Sequence, residues 1–315
     1  MIRFLKQLLI EFELKRLRKD KNVQPEEPLC VMNDRVFKLM LASETEDSRE
    51  ALKSLLSACT RRKVMNVEVL NSELLPVHLE GKSPRLDIKV MFNEGDIANL
   101  EMQISLSSDS LKNRSSLYMS MLQAAQGKKG KKYGDIKSVY QIFFINDILF
   151  PKSAKLPRRY GLREETEHDL LTGTMEVIYY ELPKLEKKAE EYFTGKLELE
   201  SLSNEEKWCI FFKYHHEKQA KQLISELCEK EEGIMRAEKE AKKIKRNLIK
   251  YFEEMDQIKY EWEIQDKIDA ARREIEKNKQ MSIAKNLKKM GLSIEQIAKA
   301  TELPVEDINQ IISNN

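Results

Sequence analysis

The sequence has little cysteine or histidine, and what it has is scattered. Its 315 residues include four cysteines and four histidines, and only His215 and His216 are adjacent. No two cysteines form a CxxC pair. Zinc sites and disulfide frameworks need closely spaced ligands or paired cysteines. The pattern therefore indicates neither a zinc site nor a disulfide-stabilised domain.

Long uninterrupted apolar runs and a strong net charge are also missing. The run at residues 1–19 is apolar at helical spacing but broken by charges, which predicts neither a signal peptide nor a membrane span. We therefore expect a cytoplasmic protein without a membrane partner. The net charge is only +2, so nucleic acid would have to meet local basic clusters. These clusters lie at residues 61–63, 128–132, 158–159 and 239–250.

Proline and glycine are sparse, and their positions suggest the organisation of the chain. Residues 1–30 are predicted to form an amphipathic helix followed by a polar linker with two prolines, and the core begins at residue 31. Between Gly233 and Lys289 there is neither proline nor glycine. Apolar residues there alternate spacings of four and three, which predicts a long charged helix with a coiled-coil-like seam. This arm within residues 186–278 could support homo-oligomers. The seam residues are Ile244, Leu248, Tyr251, Met255, Ile258 and Trp262.

Hydrophobic periodicity places helices and strands in the core. One-face helical spacing from Glu46 predicts a helix that ends near the basic triplet at 61–63. Short β-branched or alternating runs predict strands, and residues 111–125 predict a second helix. The order is helix, three strands, helix, strand, and then a further strand. We interpret residues 151–174 as a loop-rich bridge. The predicted strands lie near residues 64–70, 84–92, 97–106, 138–147 and 175–182.

The second and third of these strands bring acidic residues together. The period of two puts Asp87 and Lys89 on the face opposite Leu86, Ile88 and Val90. In the next strand it puts Glu101 beside Gln103. A turn at residues 93–95 would pair Phe92 with Asp96 and set Asp87 across from Glu101.

Facing carboxylates repel each other unless a cation lies between them or water solvates them. Magnesium binds one or two carboxylates together with waters and substrate phosphate, and it activates water for phosphodiester hydrolysis. Asp87 and Glu101 are therefore candidate ligands. The alternative is that both lie on a solvated sheet face and pair with Lys89 or Arg85.

The motifs of residues 33–185 resemble those of PD-(D/E)XK nuclease family transposases and recombination-promoting nucleases. The resemblance rests on the order and spacing of several motifs, since each alone is weak. The matching segments are NDRVFKLML at 33–41, KSPRLDIKV at 82–90, LEMQIS at 100–105, RxxxY at 114–118, KKYGDIKSVYQIFFIND at 131–147 and YYELPKL at 179–185.

This resemblance implies an α/β fold with a restriction-endonuclease-like αβββαβ core and a mixed sheet over residues 31–185. It implies that Asp87, Glu101 and the main-chain carbonyl of Met102 bind Mg²⁺, with Mn²⁺ as a substitute. Gln103 stands where many members of the superfamily have lysine, and it can position water but cannot act as a base. Lys89 is one candidate for the missing charge.

Further supporting residues follow from the same resemblance. Asp34 occupies the acidic position of the family's first helix. Arg114 and Tyr118 match the following helix, where they would orient phosphate or support the site. A surface salt bridge and a core aromatic residue are the alternative roles for this pair.

The C-terminal segment, residues 279–315, predicts a small helix-turn-helix-like module. Ser293 and Thr301 are placed as helix caps, and Pro304 suits a first helical turn. The helix at 305–312 would take the recognition position, but its side chains are acidic or neutral, which suits DNA poorly. Packing or oligomerisation is the alternative role.

The expected function is a magnesium-dependent DNA endonuclease connected with recombination or transposition. The alternative is a catalytically weak or inactive member of the nuclease fold that binds DNA or protein. The intact set of Asp87, Glu101 and Gln103 favours the enzyme.

Overall fold

A computed structural model describes residues 29–71, 86–104, 108–127, 130, 132–244 and 279–301, with isolated positions between 249 and 308. The chain divides into two compact units, Met1–Ile249 and Lys250–Asn315. The predicted leading helix and most of its linker lie outside the described residues. So does almost all of the predicted coiled-coil seam. The division into four regions that the sequence suggested stays a prediction.

The first unit combines helices with a mixed sheet. Its helices are α1 (Asp34–Ala42), α2 (Glu46–Thr60), α3 (Ser108–Ala124), α4 (Glu186–Phe193), α5 (Asn204–Tyr214), α6 (Lys221–Lys230) and α7 (Glu232–Lys243). Its strands are β1 (Val67–Leu70), β2 (Ile88–Phe92), β3 (Asp96–Gln103), β4 (Val139–Ile145), β5 (Arg158–Tyr160) and β6 (Met175–Glu181). The predicted order of helix, three strands, helix, strand and a further strand is confirmed for α2, β1 to β3, α3, β4 and β6, while α1 precedes it and β5 is inserted before β6.

The sheet has six strands in the order β1-β2-β3-β4-β6-β5. β2 pairs antiparallel with β1 and β3, whereas β4 pairs parallel with β3 and β6. Every residue of β4 is buried, as expected for a central strand covered on both faces. The sheet is mixed, as the resemblance implied.

Helices cover both faces of this sheet. The main core lies between one face and α1, α2 and α5 to α7, with Phe37, Ile142 and Phe212 among its fully buried members. On the other face α3 packs through Leu111, Met119 and Leu122. The sheet therefore separates the large core on one face from two small cores beneath α3 on the other, and β3 belongs to this sheet.

Capping side chains set where the first two helices begin. The Asn33 side chain accepts hydrogen bonds from the N–H groups of Arg35 and Val36 at the start of α1. Thr45 accepts one from the N–H of Ser48 at the start of α2. Such caps satisfy N–H groups that lack a partner within the helix. They fix the end of α1 that carries Asp34.

The bridge at 151–174 is loop-rich as predicted, but it also contains β5, a three-residue edge strand too short to give a periodic signal. Two sequence predictions about this unit were wrong. Leu86 clusters with Met119 and Leu122 rather than with Ile88 and Val90, because regular pairing begins only at Ile88. The long helix after Gly233 is interrupted: α7 ends at Lys243 and Ile244 is extended. Ile244 packs instead against the main core.

The second unit is helical where it is described. Residues 279–289 form a helix, and α8 covers Ile294–Thr301. Ser293 caps α8 as predicted, since its hydroxyl accepts from the N–H of Gln296. Thr301 is not a cap but the last residue of α8, where its hydroxyl donates to the carbonyl of Ile297. Most of the predicted recognition helix lies outside the described residues.

None of the helices in the described part of the chain has the length and apolar character needed to cross a bilayer.

Candidate functional site

The hairpin of β2 and β3 has the predicted register. Phe92 pairs with Asp96 across a turn at residues 93–95, and the Gly95 N–H donates to the Phe92 carbonyl at 3.2 Å. Asn93 has a φ of 49° and Gly95 a φ of 108°, conformations that asparagine and glycine tolerate best. The recorded pairing begins at Ile88 with Leu100, so Asp87 lies just before β2, where it bonds to the main chain of Met102, the residue after Glu101.

The Asp87 carboxylate lies at the start of β2, and its side chain is 17% exposed. Its Oδ2 accepts a hydrogen bond from the N–H of Met102 at 3.2 Å. Its Oδ1 lies 3.1 Å from the ammonium of Lys38 on α1. Burial raises the pKa of Asp87, and the nearby charge of Asp34 raises it further, whereas Lys38 opposes both. The hydrogen bond to Met102 ties Asp87 to the strand that carries Glu101.

Glu101 is buried to 3% exposure, on the face of β3 that α3 covers. The Asn99 amide donates to its Oε1 at 2.9 Å, and the Arg114 guanidinium lies 3.4 Å from its Oε2. Burial raises the pKa of Glu101 to about 7, with a further contribution from the charge of Asp87. The alternative of a solvated strand residue paired with Lys89 or Arg85 does not hold for Glu101.

Helix α1 contributes a residue that sequence reasoning missed. Lys38 lies one turn after Asp34, and its ammonium is 2.8 Å from Asp34 Oδ1 as well as 3.1 Å from Asp87 Oδ1. Asp34, predicted to face the site, therefore reaches it through Lys38. The spacing of Asp34 and Lys38 predicts their pairing with each other. Nothing in the sequence gives the distance from α1 to Asp87.

Helix α3 brings in the pair predicted to follow the hairpin. Arg114 contacts Glu101. Tyr118 lies one turn further along α3, and burial raises its pKa, followed in size by the charge of Glu101. The structure thus brings Arg114 to Glu101 and Tyr118 within its electrostatic reach.

The remaining predicted residues lie on the same hairpin. Lys89 is paired with Asn99, next to the site, and burial lowers its pKa. Gln103 ends β3, where its carbonyl accepts from the N–H of Asn146 at 2.9 Å. Met102 turns its side chain into the main core, so only its main chain faces Asp87.

Most described members of the basic clusters are already paired with acids. Arg62 lies 2.6 Å from Asp96, Arg159 lies 3.0 Å from Glu176, and Lys239 lies 2.7 Å from Asp47. Much of the cluster at 128–132 lies outside the described residues. These cations are therefore engaged in ion pairs within the fold, whereas Arg158 lies over the rings of Phe150 and Tyr160.

The residues at the hairpin suit a hard divalent cation. Among the described residues, no group of three or more His, Cys, Asp or Glu is placed to hold a metal ion. Magnesium, however, uses only one or two carboxylates and takes its other ligands from water and phosphate. The raised pKa of both carboxylates signals negative charge that a cation would stabilise. The two carboxylates, Asp87 and Glu101, therefore suit such an ion, and the Met102 carbonyl stays the further ligand that the resemblance predicts.

The comparison with protein families agrees with this geometry. The model of the PD-(D/E)XK nuclease family transposases matches residues 31–271. The chain belongs to this family. Membership gives it a nuclease fold, a connection with transposition and, by implication, a nucleic-acid substrate. No curated protein and no solved structure matches the chain.

This family assignment and the hairpin geometry concern the same part of the chain. The matched range contains α1 to α7 and all six strands. Every predicted site residue lies within it. The helices after β6 therefore belong with the nuclease fold, and α5 to α7 share its main core.

Proposed function

We propose that this PD-(D/E)XK family member is a divalent-metal-dependent DNA endonuclease acting in the cytoplasm. Its centre comprises Asp87, Glu101 and the main-chain carbonyl of Met102. One observation carries the proposal: Glu101, a carboxylate of 3% exposure, lies close enough to the charge of Asp87 to feel it, and burial together with that charge raises its pKa to about 7. Folding such a pair without a cation costs free energy, and a bound Mg²⁺ offsets that cost.

When bound, Mg²⁺ supplies Lewis acidity that polarises a phosphoryl oxygen and lowers the pKa of water. The protein's own residues hold the carboxylates in place. The Met102 N–H fixes Asp87, and the Asn99 amide fixes Glu101. Arg114 orients Glu101 and is placed to meet a phosphate. Gln103 carries no charge, so its role is to position the attacking water.

Lys38 supplies the positive charge that Gln103 lacks. Many superfamily members have lysine at the position of Gln103. From the sequence, Lys89 was the candidate to supply the missing charge. Lys38 contacts Asp87 at 3.1 Å, whereas Lys89 pairs with Asn99. A cation beside the scissile phosphate stabilises the charge that develops in the transition state.

Substitution of Lys38 by methionine is expected to slow cleavage by about a hundredfold, the scale of losing one transition-state donor. Metal affinity should not fall, because the change removes a positive charge next to Asp87. The measurement is single-turnover cleavage together with Mn²⁺ titration. Lys89→Met is the matched control and should change the rate much less. A larger loss with Lys89→Met would transfer the role to Lys89.

The proposed activity is tested with supercoiled plasmid, in Mg²⁺ or EDTA, using the wild type, Asp87→Asn and Glu101→Gln. We expect nicked or linear product only with the wild type and Mg²⁺. Cleavage that persists in EDTA, or in both variants at the wild-type rate, would refute the proposed centre. Glu94→Gln, in the exposed turn, is the control for general effects of charge.

The alternative is a member of the fold that binds DNA or protein without cutting. Its premise is that Gln103 carries no charge, whereas many members of the wider superfamily have lysine at this position. Wild-type protein that binds DNA but yields no product in Mg²⁺ or Mn²⁺ would support this alternative.

A further inference from the structure

A pocket of about 390 Å³ lies beside α3, separate from the hairpin. Its walls include Phe150, Tyr160 and Tyr179, and α3 contributes Lys112, Ser115 and Met119. No aspartate or glutamate is among the described residues that line it. Its volume is at the small end of the range for small-molecule sites.

The three rings of the pocket form one cluster. The centroid of Phe150 lies 5.7 Å from that of Tyr160 and 5.4 Å from that of Tyr179. Tyr179 is almost fully buried and stacks on Phe143, whereas Tyr160 is 38% exposed. The pocket thus has a fixed aromatic floor and a partly exposed aromatic side.

Two cations lie at this cluster. The guanidinium carbon of Arg158 is 4.7 Å from the Phe150 centroid, and the ammonium of Lys112 is 5.1 Å from it. An aromatic surface next to cations suits a flat ring attached to a phosphate, because the ring stacks while the cations meet the anion.

Buried polar groups hold Phe150 in place. Glu181 is fully buried, and its Oε1 accepts from the N–H groups of Leu149 and Phe150, each at 2.8 Å. Lys184 pairs with Glu181 and also donates to the Phe150 carbonyl at 3.2 Å. The Phe150 backbone is therefore fixed before any ligand binds, which lowers the entropic cost of binding.

The register of the sheet gives the distance between the pocket and the candidate metal centre. Glu101 pairs with Phe143, and Phe143 pairs with Tyr179 on the next strand. Tyr179 is thus two strand spacings, roughly 10 Å, from Glu101. That distance corresponds to roughly three stacked base steps of about 3.4 Å. Helix α3 covers the same interval, since Arg114 contacts Glu101 and Ser115 bonds to the Tyr179 hydroxyl.

We propose that this pocket binds one unpaired nucleobase of the nucleic-acid substrate, a few nucleotides from the phosphate at Asp87 and Glu101. The base stacks on Phe150 and Tyr160 in place of the Arg158 guanidinium, which lies over both rings in the free protein. Arg158 and Lys112 then contact the adjoining phosphates. This inference rests on the proposed nuclease function. The base comes either from a single strand or from a duplex in which it is flipped out.

The test uses oligonucleotides containing 2-aminopurine, whose fluorescence is quenched when it stacks on an aromatic ring. Binding is measured in EDTA, so that cleavage plays no part. The probes are a single strand and a duplex with 2-aminopurine opposite thymine. We expect wild-type protein to quench at least one probe, and the probe that responds identifies the source of the base.

Phe150→Leu and Tyr160→Leu are expected to weaken quenching and raise the dissociation constant by about tenfold, within the range for losing one stacked base. The matched control is Tyr133→Leu, since Tyr133 is 92% exposed and does not line the pocket. It should leave both quantities unchanged. Thermal unfolding verifies that each variant is folded.

Two results would overturn the proposal: no quenching with either probe, or equal loss with Tyr133→Leu and the pocket variants. Quenching that depends on Phe150 without any cleavage in Mg²⁺ would support the pocket and refute the nuclease function. Cleavage without quenching would support the nuclease function and refute the pocket. The two failures are therefore distinguishable.

Discussion

Glu101→Gln is expected to weaken metal binding by at least about tenfold and to abolish cleavage, while stabilising the protein at pH 8. Burial and the charge of Asp87 raise the Glu101 pKa from 4.5 to about 7. A carboxyl group whose pKa is raised by folding contributes stability below its unfolded pKa and loses it as the pH rises through the folded value. At pH 8 the difference between 4.5 and about 7 corresponds to about 3 kcal/mol. Glutamine stays neutral and avoids this cost.

The pH dependence of the free energy of unfolding distinguishes the raised pKa of Glu101 from a change in side-chain packing. Urea unfolding in EDTA should give Glu101→Gln and the wild type similar free energies of unfolding at pH 4.5. The difference should grow between pH 5 and pH 8 in favour of the variant. Glu94→Gln is the control, since the Glu94 side chain is 95% exposed. An advantage for Glu101→Gln that is the same at both ends of this range would contradict the raised pKa.

Magnesium should make the wild type more stable than Glu101→Gln at pH 8, the reverse of the order in EDTA. A cation that binds only the folded wild type stabilises it in proportion to the logarithm of its concentration. Glu101→Gln lacks one ligand and should gain little. Equal gains for the two proteins would show that the ion binds elsewhere.

Gly233→Ala is expected to lower the free energy of unfolding by about 3 kcal/mol, the upper part of the range for overpacking. Gly233 lies in the first turn of α7, where that helix packs against α2. A Cβ added there would lie 2.2 Å from both the Cβ and the Oγ of Ser54. No rotamer of Ser54 moves its Cβ, so the two helices must separate.

A second substitution tests this cause. Ser54→Gly removes the obstructing Cβ and alone should cost about 1 kcal/mol as a helical glycine. Combined with Gly233→Ala it should cost less than the sum of the two. Gly134→Ala is the control, because nothing lies within 4 Å of its added Cβ. Additive losses in the double variant would refute the contact with Ser54, and urea unfolding measures the four variants and the wild type.

The hairpin could be predicted from the sequence because its signals are local. Strand alternation and a turn ending in Gly95 determine the register, and the pairing of Phe92 with Asp96 is confirmed. The order of helices and strands in the core likewise follows from periodicity. That Asp87 and Glu101 bind a metal came from the resemblance to a family and stays a prediction.

The parts that could not be predicted depend on contacts between distant segments. Lys38 meets Asp87 only because α1 packs near the start of β2, and Phe150 meets Tyr179 only because Glu181 holds the chain after β4. β5 gave no signal because three residues are too few for a period. The interruption after α7 was missed because the sequence there has neither proline nor glycine.

The most direct test of the metal centre is titration with Mn²⁺, followed by its EPR signal, at pH 8 without DNA. Wild-type protein and Glu94→Gln should bind the ion, and Asp87→Asn and Glu101→Gln should each weaken binding by at least about tenfold. Affinity should also rise between pH 6 and pH 8 as Glu101 loses its proton. Wild-type affinity in both Asp87→Asn and Glu101→Gln would contradict a metal centre at this hairpin.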